Sequence, residues 1–262
     1  MRTLLVLLAI AGPAWAEAGA TDDGAPPRRD AAEVARDGAF LPQTMAARIG
    51  DQRVLGMVMA GYDSAPGSQG GTVSAVVEGA LYRRVAIRVG VDSLVDAGVN
   101  SRTIATVGVR IGLLRQEQQG VDVAVAASYK TQGLTETTGE IELAVLASRR
   151  WDHLGLYGNL VYGQGFASAE RDGGVRLALL YGLGDHVNLG LDAGCRFDLG
   201  DGGPATRVPG ELDFDLLAGP VAMVALGPVL LQAQVGPHAV VPDGTNLFAT
   251  GVAAMAGLGA TF

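Results

Sequence analysis

Val121-Asp122-Val123-Ala124-Val125-Ala126-Ala127-Ser128-Tyr129-Lys130 and the following run Glu140-Ile141-Glu142-Leu143-Ala144-Val145-Leu146-Ala147-Ser148 alternate with period two. In the second run Ile141, Leu143, Val145 and Ala147 share one face, and Glu140, Glu142, Ala144 and Ser148 share the other. Successive side chains of a strand point to opposite sides, so each run is a strand with one apolar face and one small or charged face.

Outward from these two, the same pattern predicts strands over 52–62, 73–81, 85–91 and 103–114 before them. After them come 154–163, 174–183, 187–197, 212–224, 229–237 and 247–262. That makes about 12 runs, most of them close to the ~9–11 residues with which a tilted strand crosses a bilayer. The breaks alternate in length. Tyr82-Arg83-Arg84, Arg115 to Gly120, Arg149 to His153, Gly184-Asp185-His186 and Leu226-Gly227 are short, whereas 64–71, 93–102, 131–139, 166–172, 198–211 and 238–246 are mostly longer. Short turns at one rim, longer loops at the other and an even strand count are the habit of transmembrane β-barrels in bacterial outer membranes. The expectation is therefore an all-β fold, a single antiparallel transmembrane barrel of about 12 strands, with 10 or 14 as alternatives and both termini periplasmic. A secreted soluble β-sandwich or solenoid also shows short alternating strands and stays open at this point.

Composition leans the same way. The chain has 39 glycines in 262 residues, 18% charged residues and 5% aromatics, against about 25% charge and about 7% glycine in soluble domains. Low charge suits an outer surface that meets lipid. The longest apolar stretch after the amino-terminal region, Leu216 to Leu231, is broken by Gly219-Pro220 and Gly227-Pro228, and falls short of the ~20 apolar residues of a spanning helix. Strands alone can then cross a membrane here. Pro220 falls inside a predicted strand of a closed sheet, so a bulge is expected at Gly219-Pro220.

Three domains follow. Residues 1–16 read as a signal peptide: Arg2, the apolar stretch from Leu4 to Gly12, and Ala14-Trp15-Ala16 before Glu17. Residues 17–50, with Asp22-Asp23-Gly24, Pro26-Pro27-Arg28-Arg29-Asp30 and few large apolar groups, read as a flexible periplasmic leader. Within it Asp30 to Asp37 can form a short helix with a weakly amphipathic, alanine-rich face, and a folded plug in the barrel is the alternative reading of this leader. Residues 51–262 are the barrel. The net charge of −8 argues against nucleic acid as a partner. The single cysteine, Cys195, supplies neither an intramolecular disulfide nor a metal cluster.

The ending Met255-Ala256-Gly257-Leu258-Gly259-Ala260-Thr261-Phe262 resembles the carboxyl-terminal assembly signal of Gram-negative outer-membrane β-barrel proteins, in which Gly257 and Phe262 stand at the expected places. Met255 and Ala260 depart from it. The resemblance is to the general class, over roughly 51–262, and implies as partners the barrel-assembly machinery, outer-membrane lipid and lipopolysaccharide.

Period two divides the strands into faces. Val107, Val109, Ile111, Leu143, Val145, Leu177, Leu179, Leu189, Leu191, Leu231 and Leu258 fall on the lipid side. Tyr129, Tyr162, Tyr181, Phe197, Phe214, Phe248 and Phe262 are expected near strand ends, as interface aromatics. The other face carries the candidate lumen residues Glu78, Arg88, Arg110, Asp122, Lys130, Glu140, Glu142, Asn159, Arg176, Asn188, Asp192, Arg196, Asp213, Asp215, Gln232 and Gln234. A buried unpaired charge is costly, so this face is either wet or internally paired, with Arg110 beside Asp122 and Arg176 beside Asp192 as expected pairs.

A barrel of this size lies between the filled 8-strand and the open 16-strand kinds. A narrow passive channel for small polar solutes or ions is expected, mildly cation-preferring because inward carboxylates are in excess. A sealed barrel whose outer loops bind a surface partner is the alternative, and an outer-membrane hydrolase the third. No catalytic residues, cofactor or metal site are expected. His153 and His186 fall in short turns, and a catalytic role for His238 would need carboxylates to converge on it. Asp198 to Gly203 matches no EF-hand or repeating calcium motif.

Overall fold

The computed structural model describes residues 31–38, 41–49, 54–66, 69–82, 84–96, 101–131, 139–166, 171–200, 212–242 and 247–262. Twelve antiparallel strands carry the fold: β1 (Val54–Asp63), β2 (Gly70–Tyr82), β3 (Val85–Asp96), β4 (Ser101–Leu114), β5 (Asp122–Thr131) and β6 (Gly139–Trp151), then β7 (Leu154–Gly165), β8 (Arg171–Leu183), β9 (Val187–Gly200), β10 (Leu212–Leu226), β11 (Val229–Pro242) and β12 (Ala249–Thr261). Each pairs with its sequence neighbour, and β1 pairs with β12 from Leu55 opposite Thr261 to Asp63 opposite Ala253, closing the barrel. The strand count and the closure are those the alternating runs predict.

Both ends of the sheet meet at one rim, where the Phe262 amide donates to the Val54 carbonyl at 3.0 Å. The short connections lie at that rim too. Helix α1 (Ala31–Arg36) precedes the barrel, and the short connection between β4 and β5 winds into a single turn, α2 (Gln116–Gln119), ended by Gly120 at φ +78°. The residues predicted to meet lipid point out of the barrel: Leu143, Val145, Leu177 and Leu191 are 49–60% exposed, and Val107, Ile111, Leu231 and Leu258 are exposed with them. An outer wall this apolar is stable only against an apolar medium. Among the aromatics, Tyr162, Tyr181, Phe248 and Phe262 are exposed, and Phe214 packs edge-on against Phe248.

The expected bulge at Gly219-Pro220 is absent. Leu217 stands opposite His238 and Val221 opposite Gln234, so no extra residue has entered either strand. The intervening ladder positions drop out instead, and the strands press together there: a Cβ on Gly219 would lie 2.1 Å from the Val235 carbonyl oxygen, and one on Gly236 would lie 2.0 Å from that of Ala218. Two facing glycines thus absorb the effect of Pro220 and Pro237 by close approach, without a change of register.

The signal segment 1–16 lies outside the described residues, as does 17–30. Where the composition predicts a flexible leader, residues 31–38 and 41–49 instead form an ordered insert inside the barrel. Helix α1 has Glu33 in its first turn and Arg36 in its last, complementing its dipole. It packs against β9, β10 and β11. Ala31, Ala32, Val34 and Ala35 join Leu55, Met57, Val76, Ala178, Leu180, Val221, Met223 and Leu230 in one apolar cluster. Alanine-rich sequence is a poor core for an exposed helix, but within a closed wall the barrel supplies the large side chains and small residues are what fit.

Candidate channel lumen

The inner wall has two zones. Near the short-turn rim the insert packs against it, and toward the other rim it is lined with charge.

Hydrogen bonds spaced around the wall hold the insert in place. Asp192, fully buried, accepts from the Gln43 amide at 2.7 Å and the Thr44 hydroxyl at 2.6 Å. Asn159 bonds Met45 in both directions, accepting from its amide and donating to its carbonyl, each at 2.7 Å. Arg110 donates to the Ala46 carbonyl. The Tyr157 hydroxyl donates to the Arg36 carbonyl at 2.6 Å, and Arg150 donates to Asp37, also at 2.6 Å. On the other side Ala47 packs on Ala124 and Leu146. Arg48 then returns the chain to the short-turn rim by pairing with Glu117 at 2.7 Å. The Glu117 carboxyl is held below the ordinary range by its backbone hydrogen bond and by the Arg48 guanidinium, against some desolvation.

Gly38 turns the chain at the end of α1 with φ +67°, and a Cβ there would meet the Tyr157 ring at 2.6 Å. Gly38→Ala is expected to destabilise the seated insert by about 1–2 kcal/mol from the left-handed backbone alone. The check is limited proteolysis of the folded barrel, in which cleavage within 31–49 should quicken. Unchanged cleavage would show that the turn is not part of the seat.

Fifteen of the sixteen residues expected in the lumen share strand parity with buried neighbours, and Asp213 falls at the register shift between Leu212 and Phe214. Glu78, Arg110, Asp122, Asn159, Asn188, Asp192, Gln232 and Gln234 are buried, and Arg88, Lys130, Glu140, Glu142, Arg176, Asp213 and Asp215 are half-buried. Arg196 is the most open of them, its side chain half exposed to solvent and paired with Asp172 at 2.6 Å. The two expected ion pairs are not formed. Register sets Arg110 opposite Ala126, far along β5 from Asp122, and Arg176 opposite Gly194 and not Asp192. Arg110 pairs instead with Glu78, and Glu142 takes Lys130 as a direct partner with Arg176 at 3.8 Å. Asp122 accepts from the Gln116 amide at 2.9 Å.

Toward the far rim, two carboxylates converge on His238. Its Nδ1 lies 2.5 Å from Asp63 and its Nε2 2.8 Å from Asp215, joining β1, β10 and β11 across β12. Asp243, its neighbour in sequence, lies outside the described residues. With a carboxylate on each ring nitrogen, His238 has no nitrogen left to activate a nucleophile, and the trio acts as a clamp. Besides this wall, two adjoining clefts of about 320 Å³ each flank the insert, both lined by Arg150 and Asp152.

Sequence reasoning missed Asp37, Gln43, Thr44, Arg48 and Tyr157. For Tyr157 a signal existed, since it stands two residues before the inward Asn159. Asp37, Gln43 and Thr44 had none, because their partners on the wall are over a hundred positions away.

No protein-family profile matches the chain, and no curated protein matches it. Among solved structures, it is similar to the NanC porin (TM-score 0.61, 11% identity, 79% of this chain and 100% of that one). It is also similar to an outer-membrane channel of Pseudomonas putida F1 (0.54, 11%, 80% and 96%) and to the KdgM porin (0.51, 7%, 79% and 99%). At such identities the likeness is one of fold. The chain is a closed twelve-stranded antiparallel β-barrel with the fold of outer-membrane porins and channels.

Proposed function

We propose that the protein is a narrow passive channel for small polar solutes or ions, with a mild preference for cations. It would sit in the outer membrane of a Gram-negative bacterium among lipopolysaccharide, with the short-turn rim and both chain ends periplasmic. Export by residues 1–16 and delivery to the barrel-assembly machinery through the ending that includes Gly257 and Phe262 complete the proposal. The observation that carries it is the charged inner wall toward the far rim. Lys130, Glu142 and Arg176 are paired yet still reached by solvent, which favours a wetted wall over one closed by its own side chains. Carboxylates outnumber the bases there, because Asp63 and Asp215 share a single histidine, and a negative lumen favours cations.

The test is single-channel conductance of the refolded mature protein in a planar bilayer, with the reversal potential under a salt gradient. Stable cation-preferring steps are expected. Neutralising Glu140, Glu142, Asp213 and Asp215 together should move the reversal potential toward zero. Silence of folded barrels, both mature and lacking residues 17–49, would overturn the channel.

A further inference from the structure

We infer that residues 31–38 and 41–49 form a resident plug of this channel, seated on the inward side chains Asp192, Asn159, Arg110, Tyr157 and Arg150, and that full conduction requires the plug to leave. The inference rests on the channel function proposed above. Three observations carry it. First, the segment spans the lumen, because its contacts run round the wall: α1 lies on β9, β10 and β11, Ala47 reaches β5 and β6, and the Ala46 carbonyl reaches β4. Beside it lie two clefts that share Arg150 and Asp152.

Second, the plug can be withdrawn without unpairing a strand. The Ala31 amide is bonded to the Gly227 carbonyl, in the short turn between β10 and β11. Ile49 lies beside Gly112, near the short-turn end of β4. Entry and exit are therefore at the same rim, and the segment can slide out from that side while β1 stays in the sheet.

Third, the seat suits water better than it suits a permanent core. Nε of Arg110, Nδ2 of Asn188 and the Oε1 atoms of Gln232 and Gln234 are buried without a hydrogen-bond partner among the described residues. Burying such groups unsatisfied is unfavourable, and hydration of the lumen would satisfy all of them. The wall thus gives up contacts and recovers hydrogen bonds when the plug leaves, as a reversible closure needs.

The experiment compares three full barrels in planar bilayers: the mature chain, the mature chain with Asp192→Ala and Asn159→Ala, and a chain lacking residues 17–49. Heat-modified mobility on a gel confirms that each is folded. In parallel, Ala46→Cys is introduced in a Cys195→Ser background, with and without the two anchor substitutions, and its reaction with a membrane-impermeant thiol reagent is timed. Ala46 is fully buried when seated. The anchor variant and the shortened chain are expected to show unit conductance raised several-fold over the mature chain, and the thiol introduced at position 46 to react faster once the anchors are gone. Equal conductance of the mature and shortened chains would overturn the plug and leave the channel standing. Faster labelling with unchanged conductance would do the same. Silence of all three folded barrels would instead remove the channel itself.

Discussion

Leu177→Arg is expected to destabilise the membrane-inserted barrel by about 2–4 kcal/mol, the cost of a cation at the bilayer midplane on the lipid face of a barrel. Leu177 is the central residue of β8 and is 55% exposed on the outer wall. Its register neighbours are Gly158 on β7 and Ala193 on β9, neither able to pair with a guanidinium. Midway along the strand, the arginine stem must stretch furthest to reach water. Leu183→Arg supplies the control, because Leu183 is similarly exposed but ends β8 at the short-turn rim, where the same change should cost only about 0–1 kcal/mol. Urea titration of both variants in lipid vesicles measures the difference. Equal losses would mean that the outer wall does not face a hydrocarbon layer.

That wall is legible because its information is local. Period two in 141–147 or in 187–197 needs no knowledge of any other strand, and the turn lengths between runs order the strands around the barrel without further input. What cannot be read is long-range. Sequence proximity across one turn suggests Arg110 beside Asp122, but a β-bulge between Gly112 and Leu114 and the antiparallel register put Ala126 opposite. Pairing Arg110 with Glu78 requires knowing which inward residues two strands away share a level. Pro220 poses the same difficulty in reverse: proline announces a missing donor, but whether the sheet answers with a bulge or a pinch depends on Gly236 on the facing strand.

The insert shows why composition is a poor guide inside a barrel. A leader with few large apolar groups cannot order itself in water, since folding a short segment costs more conformational entropy than its own side chains recover. Enclosure changes the balance. Leu55, Met57, Leu180, Met223 and Leu230 present a preformed apolar surface, so Ala31, Ala32 and Ala35 need only be small. The His238 clamp is half legible: its place at the start of the break 238–246 puts it near the far rim, while Asp63 lies 175 residues away and reaches it only after the barrel closes.

Arg110→Met is expected to cost about 3 kcal/mol in the mature protein and much less in a chain lacking residues 17–49. Arg110 and Glu78 are both nearly inaccessible, and the arginine spans from the carboxylate to the Ala46 carbonyl of the insert. Removing one member of a buried pair strands the other charge, which typically costs about 3–5 kcal/mol. Arg88 stands opposite Glu78 on β3 and supplies some compensation, which places the expectation at the lower end. Glu78→Gln together with Arg110→Met removes the stranded charge and should recover most of the loss. If the insert is what keeps this level of the lumen dry, its removal lets water reach Glu78, and the substitution should then cost about 1 kcal/mol or less, as for an exposed pair. The four unfolding titrations, with and without the insert and with and without Arg110, form a cycle whose coupling energy reports how far the plug and the wall's dryness are one property. A coupling near zero would mean that the Glu78 level has the same access to water with the insert in place as without it, which a lumen-spanning plug does not allow.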